Sequence, residues 1–156
     1  MSDRIRGWFL VAGQFGLLAA LVLAPTGDDW DVPSWLRTIG TAGRIAGAAA
    51  IVLGAIQLGT SLSAHPAPPR DATLRTTGAY RYARHPIYTG VLVLAAAIAA
   101  TAGSVLHAVL WAVLLALLTV KARFEERLLR QRFPGYPAYR ASTRRFLPLP
   151  TSATKP

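Results

Sequence analysis

Between Gly78 and Gly90 the chain reads Gly-Ala-Tyr-Arg-Tyr-Ala-Arg-His-Pro-Ile-Tyr-Thr-Gly, a stretch dense in side chains that bind anions or move protons. Pro86 biases Arg84 and His85 toward an extended backbone and is itself suited to the first turn of a helix, so a helix is expected from Ile87 onward. A helix start leaves backbone N–H groups free and carries partial positive charge. With Arg81 and Arg84 beside it, it forms a receptor for a carboxylate or a phosphate. A histidine before a proline at a helix start can equally be only a cap or a packed hydrogen-bonding residue.

Downstream, Glu125-Glu126 supplies two adjacent carboxylates. Neighbouring helix positions point roughly 100° apart, so at most one of them looks squarely into a site. Two readings stand side by side. In one, which rests on the family resemblance given below, a carboxylate helps hold a cofactor while its neighbour orients an arginine or the acceptor. In the other, the helix face is solvated, with Glu126 paired to Arg130 and Glu125 to Lys121 at i,i+4 spacing.

The elements that must carry these residues are apolar. The chain has 156 residues, 53% hydrophobic, with mean hydropathy +0.36, which is too apolar for an ordinary soluble domain of this size. Residues 7–24 form a run of 18 apolar positions after Arg4 and Arg6, interrupted in polarity only by Gln14. Pro25 is a poor cleavage context, so the run reads as a retained first span and not as a signal peptide. A turn-rich acidic loop follows, Gly27 to Pro33, with Trp30 and Trp35 as interfacial aromatics. The second span runs from about Leu36 to Leu62 and contains Gly43-x-x-x-Gly47, a close-packing pattern. Arg44 within it either snorkels to the interface or serves an intramembrane ionic role.

Between Ser63 and Arg75, His65, Pro66, Pro68 and Pro69 exclude a continuous helix, and His65 reads as an interfacial residue. Pro86 to about Gly103 and Leu106 to about Val120 make a helical hairpin through a short turn. His107, beside that turn and away from the Gly78–Gly90 stretch, is given no chemical role. The last helix continues amphipathically to about Arg132 before Pro134-Gly135 ends it. The expectation is an all-α polytopic membrane bundle of about four transmembrane helices with a cytosolic amphipathic C-terminal segment, one domain over residues 1–150, and a frayed tail over 151–156.

The formal charge of +10 and a pI near 11.3 would suit nucleic acid, but the arginines flank apolar spans, so anionic lipid headgroups are the expected partners. Of the 17 Lys and Arg residues, 2 precede the first span, 4 lie between Arg70 and Arg84, and 9 follow from Lys121. The positive-inside rule then places both termini, the Gly78–Gly90 stretch and the glutamate pair on the cytoplasmic side of the plasma or inner membrane. No cysteine is present, which removes disulfides and thiol chemistry. The three histidines lack ligand spacing, so no metal site is expected.

Arg84-His85-Pro86-Ile87-Tyr88-Thr89-Gly90, preceded by Gly78-x-Tyr80 and followed by Glu125-Glu126, resembles the isoprenylcysteine carboxyl methyltransferase and phospholipid methyltransferase family. Phe133-Pro134-Gly135-Tyr136-x-x-Tyr139 and Arg145-Phe146-Leu147-Pro148 extend the likeness to roughly residues 60–150. One departure is Ala79, where many relatives have proline; no chemical group is lost. The resemblance implies an S-adenosylmethionine-dependent methyltransferase acting on a lipophilic small molecule. It implies catalytic roles for Glu125, Glu126 and Arg84. It implies a cofactor pocket of Tyr80, Arg84, His85, Pro86, Tyr88, Gly90, Glu125, Glu126, Tyr136 and Tyr139. Tyr136 and Tyr139 also suit interfacial anchoring, and Arg140, Arg144 and Arg145 read as a membrane-surface anchor. A second reading is an NADPH-dependent membrane reductase of the sterol-reductase type, which shares an Arg-His-Pro-x-Tyr stretch but typically has Asn where Ile87 stands and lacks the glutamate pair. A third is a non-catalytic bundle that binds lipid. No residue chooses among prenylcysteine carboxylate, phospholipid amine and other apolar acceptors.

Overall fold

The computed structural model describes residues 2–63, 65 and 72–146. The described residues form five α-helices: α1 (Asp3–Leu23), α2 (Ser34–Leu58), α3 (Pro86–Thr101), α4 (Val105–Arg132) and α5 (Tyr136–Ser142). The prolines at 66, 68 and 69, residues 147–148 of the C-terminal motif, and the tail expected over 151–156 lie outside the described residues. Each span starts or stops within a few residues of its expected place. The element that the sequence reading missed is α5, a short helix that opens with Pro137 in its first turn.

α1, α2 with its 3₁₀ extension to Ser61, and α4 are long and apolar enough to cross a membrane. The 16-residue α3 is apolar but shorter, covering roughly 24 Å. The result is an all-helical membrane bundle of about four transmembrane helices. Its apolar surface is inside out: Phe9, Phe15, Leu23, Ile45, Ile56 and Val109 are exposed, as lipid-facing residues are when the surrounding solvent is hydrocarbon.

Packing order is α2–α3–α4–α1. The centre is built from Leu21 of α1, Val91, Leu92 and Ala95 of α3, and Leu114 and Leu118 of α4. Where lipid supplies no hydrophobic drive between helices, small residues let backbones approach. The α2 stripe that does this is Gly40, Gly47 and Gly54, all buried, so only Gly47 of the Gly43-x-x-x-Gly47 pattern lies on the buried line. A Cβ on Gly47 would sit 2.7 Å from the carbonyl oxygen of Gly90, and one on Gly90 would sit 2.6 Å from that of Gly47.

The two ends of the bundle differ in kind. At one end the loop after α1 packs on the α3–α4 turn: Gly27 and Asp29 donate backbone N–H bonds to Ala102 and Gly103, each 2.9 Å. The Asp29 carboxylate also accepts the Val105 N–H at 2.7 Å, capping α4 from outside the helix. Arg44 donates to Thr101 Oγ1 near this end, where it is exposed. The opposite end holds the N-terminus of α1, the start of α3, the last turns of α4, and α5.

Candidate active site

The centre forms where the start of α3 meets the end of α4. Ahead of Pro86, a 3₁₀ turn over Gly78–Arg81 brings the chain back against α2; Gly78 has φ of 61°, the left-handed region open to glycine, and Ala79 N–H donates to Gln57 at 2.7 Å. Arg84 and His85 then lead into Pro86; His85 has φ −129° and ψ 65°, outside the α region that a following proline disfavours. Their N–H groups donate to Arg144 and Arg145 carbonyls at 2.8 and 3.1 Å, and Ala83 pairs with Arg144 in a parallel β-bridge. This short pairing carries the chain after α5 back onto the helix start.

Glu126, 1% exposed, is the hub of the polar centre. Arg84 donates to its Oε1 through Nε and Nη2, each at 3.2 Å. Arg145 grips it in bidentate fashion, Nε to Oε1 at 2.8 Å and Nη2 to Oε2 at 3.0 Å. His85 Nε2 is 3.3 Å from Oε1. Two guanidiniums on one buried carboxylate suit the planar, forked geometry that lysine cannot reproduce. Arg84 also donates to the carbonyls of Arg140 and Thr143, tying α5 to the same hub. The bonds to Glu126 hold the Arg145 guanidinium further above its already high ordinary value.

Glu125 points elsewhere. It is partly exposed, accepts the Tyr88 hydroxyl at 2.9 Å, and has His85 Nδ1 at 3.7 Å. His85 thus stands between the two carboxylates, stacked parallel on Tyr88 with ring centres 5.2 Å apart. Neither i,i+4 ion pair of the solvated-face reading forms: Arg130 donates to the backbone carbonyl of Glu126, and Lys121 donates to Gln14 Oε1 at 2.6 Å.

A cavity of about 350 Å³ opens beside Glu125, within the size range of small-molecule sites. Arg84, His85, Tyr88, Lys121, Glu125 and Tyr80 form its polar wall; Phe15, Leu58, Leu62, Ile87 and Leu129 supply apolar surface, and Tyr136 and Tyr139 close one side. Glu126 does not line it. Neither do Pro86 and Gly90, which shape the helix start instead: Gly90 meets Gly47, and Pro86 faces Gly54.

Burial raises the phenols of Tyr80 and Tyr136 well above the ordinary tyrosine value, with Glu125 adding to the effect on Tyr80 and Glu126 on Tyr136. Tyr139 is pushed up to about 12 by burial, with Arg84 pulling the other way. All three therefore stay protonated donors. Tyr139 donates to the Tyr80 carbonyl at 2.6 Å and Tyr80 to that of Gly54 at 3.4 Å. The Tyr136 hydroxyl is fully buried and has no partner among the described residues.

Three parts of this site escaped the sequence reading. Arg145, expected in a membrane anchor, is bound to the hub; its signal was its place in the Arg145-Phe146 motif. Lys121 is 2% exposed where a surface cation was expected, and its partner Gln14 was visible as the one polar side chain of the first apolar run. His65 lines the cavity, its ring 5.4 Å from that of Trp8.

The sequence pattern of phospholipid methyltransferases matches residues 38–135, from the first turns of α2 to just before α5. The chain belongs to the phospholipid methyltransferase family. The match takes in α3, the Arg84–Gly90 motif and the glutamate pair, and ends before Tyr136, Tyr139 and Arg145. No curated protein and no solved structure matches the chain.

Proposed function

We propose that this protein transfers a methyl group from S-adenosylmethionine to a lipophilic acceptor that enters from the bilayer, with the cavity beside Glu125 as the reaction chamber. The observation that carries this reading is the unequal fate of the two glutamates. Glu126 is consumed by Arg84, Arg145 and His85, whereas Glu125 keeps an open side toward the cavity.

The residues present fit such a donor. A buried Tyr136 hydroxyl without a partner among the described residues and a cationic Lys121 offer bonds to a polar, zwitterionic ligand; Glu125 and the tyrosine rings favour a cation nearby. Tyr80, Arg84, His85, Tyr88, Glu125, Tyr136 and Tyr139 would hold it. When bound, the donor supplies a methyl group already activated on a sulfonium, so the protein's work is alignment and electrostatics. Glu125, held by Tyr88 and His85, orients the acceptor and takes its proton where the acceptor carries one. The Arg84 guanidinium, already bonded to Glu126 and to the Arg140 and Thr143 carbonyls, adds positive charge at the chamber wall near an anionic group. Glu126 and Arg145 act through Arg84 and His85 by fixing their positions. By the distribution of Lys and Arg, this end of the bundle faces the cytosol, where the donor is found.

The test incubates purified protein with methyl-labelled donor and a total lipid extract, then identifies the labelled product by mass spectrometry. Label is expected in an apolar acceptor. A parallel thermal-shift titration should show stabilisation by S-adenosylmethionine and its demethylated product, since a ligand selective for the folded state raises apparent stability. Stabilisation by NADPH alone would transfer the site to the reductase reading.

A further inference from the structure

On the reverse side of α4 lies a second groove, about 470 Å³ in volume, that no step of the methyl transfer uses. Arg6, Phe9 and Leu10 of α1 form one wall, and Val120, Arg123, Phe124 and Arg127 of α4 form the other. Arg123 and Arg127 stand one helical turn apart, roughly 160° to 200° around α4 from Glu125. The groove and the methyl-transfer cavity therefore open on different faces of the same helix. All three arginines are exposed, and among the described residues none of them pairs with a carboxylate. Arg127 instead lies over the Phe124 ring, 5.3 Å from its centre.

We propose that this groove binds an anionic phospholipid, its phosphate held by Arg6, Arg123 and Arg127 and an acyl chain lying along Phe9, Leu10 and Val120. Two features select that occupant. Three guanidiniums with no carboxylate partner among the described residues line an apolar trough, which matches a phosphate joined to a hydrocarbon tail. Phe9 and Val120, 66% and 53% exposed, stand on the outward surface of helices that cross the membrane, where hydrocarbon is the neighbour. The lipid would bridge α1 and α4, the helices that Gln14 and Lys121 join inside the bundle. This binding does not depend on the identity of the methyl donor.

The test uses the full chain in detergent. Bound lipid is measured by native mass spectrometry and thermal stability by titration with phosphatidylglycerol, with phosphatidylcholine of the same acyl chains, and with inorganic phosphate. Wild type should retain and be stabilised by phosphatidylglycerol in preference to phosphatidylcholine. Each guanidinium near a membrane surface contributes roughly fivefold, so Arg6→Gln/Arg123→Gln/Arg127→Gln should cut the preference by about 100-fold. A charge-matched control, Arg4→Gln/Arg130→Gln/Arg132→Gln, removes three exposed cations at the same end of the bundle and should leave most of the preference. Should the triple variant not fold, Arg123→Gln alone must still lose roughly fivefold. Equal loss in the control would mean a diffuse basic surface and overturn the site. Equal binding of phosphatidylcholine, or stabilisation by inorganic phosphate with no lipid preference, would also overturn it.

Discussion

At the scale of single residues, the two adjacent glutamates separate into one bound by arginines and one open to the cavity. Buried Glu126 neutralises the largely buried Arg84 guanidinium and the partly exposed one of Arg145, so Glu126→Gln leaves the two facing each other without their shared counter-charge. Breaking a buried pair by removing one partner costs about 3–5 kcal/mol, and the variant is expected to unfold at clearly lower temperature in detergent. Glu125→Gln keeps an acceptor for Tyr88 and should unfold within a few degrees of wild type. It should lose methyl transfer by roughly 10²-fold or more if Glu125 handles the acceptor's proton. Labelled-donor turnover together with unfolding curves for both variants decides the assignment; equal, full activity in both would remove the glutamates from the chemistry. Tyr136→Phe gives a complementary readout. Its hydroxyl is buried without a partner, so deletion should raise the stability of the ligand-free protein by about 1 kcal/mol while weakening donor affinity by a similar amount. Calorimetric titration measures the second effect and thermal unfolding the first. Loss of stability without loss of affinity would place that hydroxyl outside the ligand site.

The element scale is governed by how closely α3 can approach α2. The start of α3 carries His85, Tyr88 and the cavity wall, and its position depends on two glycines in backbone contact. A methyl group at Gly90 would meet the Gly47 carbonyl oxygen at 2.6 Å and the Ile51 nitrogen at 2.8 Å. Backbone cannot rotate away, so Gly90→Ala must push the helices apart, at a cost of about 1–3 kcal/mol. Donor affinity should fall with it, although Gly90 does not touch the cavity. Gly16→Ala on α1, with nothing within 4 Å of the added carbon, is the matched control. It is expected to be neutral or to stabilise by up to about 1 kcal/mol through better helix propensity. Thermal unfolding of the two variants in one detergent is the measurement; equal behaviour would show that the close approach is not what positions α3. The bridge between Ala83 and Arg144 works at the same scale, because it delivers Arg145 to Glu126. Arg145→Lys should lose most of what Arg145→Ala loses, since an ammonium cannot make the bidentate contact.

For the whole molecule, the loop after α1 and the α3–α4 turn are hydrogen-bonded to each other, while the carboxylate–arginine hub occupies the far end. The positive-inside rule, applied to the charge asymmetry, predicts that the hub faces the cytosol. Reporter fusions placed after Thr26 and Gly103 should therefore read outside, and fusions after Ser63 and at the C-terminus inside. An inside signal at Gly103 would contradict both the hairpin and its packing on the first loop. In the same frame the two grooves flanking α4 are proposed to receive different molecules, one for reaction and one for anchoring.

How much of this was legible before folding follows from the range of each interaction. Apolar runs, prolines and the Lys/Arg distribution are local properties. They were enough for the helical membrane class, the approximate spans and the clustering of Arg84, His85, Tyr88 and the glutamates at one end, and the quoted motifs placed the family. What depended on distance along the chain was decided only in three dimensions. Helical geometry requires Glu125 and Glu126 to diverge, but which one meets the arginines follows from the rotation of α4 against α3. Arg145 lies 19 residues beyond Glu126 and reaches it only because α5 turns the chain back onto Arg84. Lys121 and Gln14 are 107 positions apart and pair only because α1 packs on α4. Composition could mark each of these side chains as polar in an apolar setting; only the packing of helices assigns their partners, because a buried polar group is satisfied by whatever the fold brings within hydrogen-bond reach.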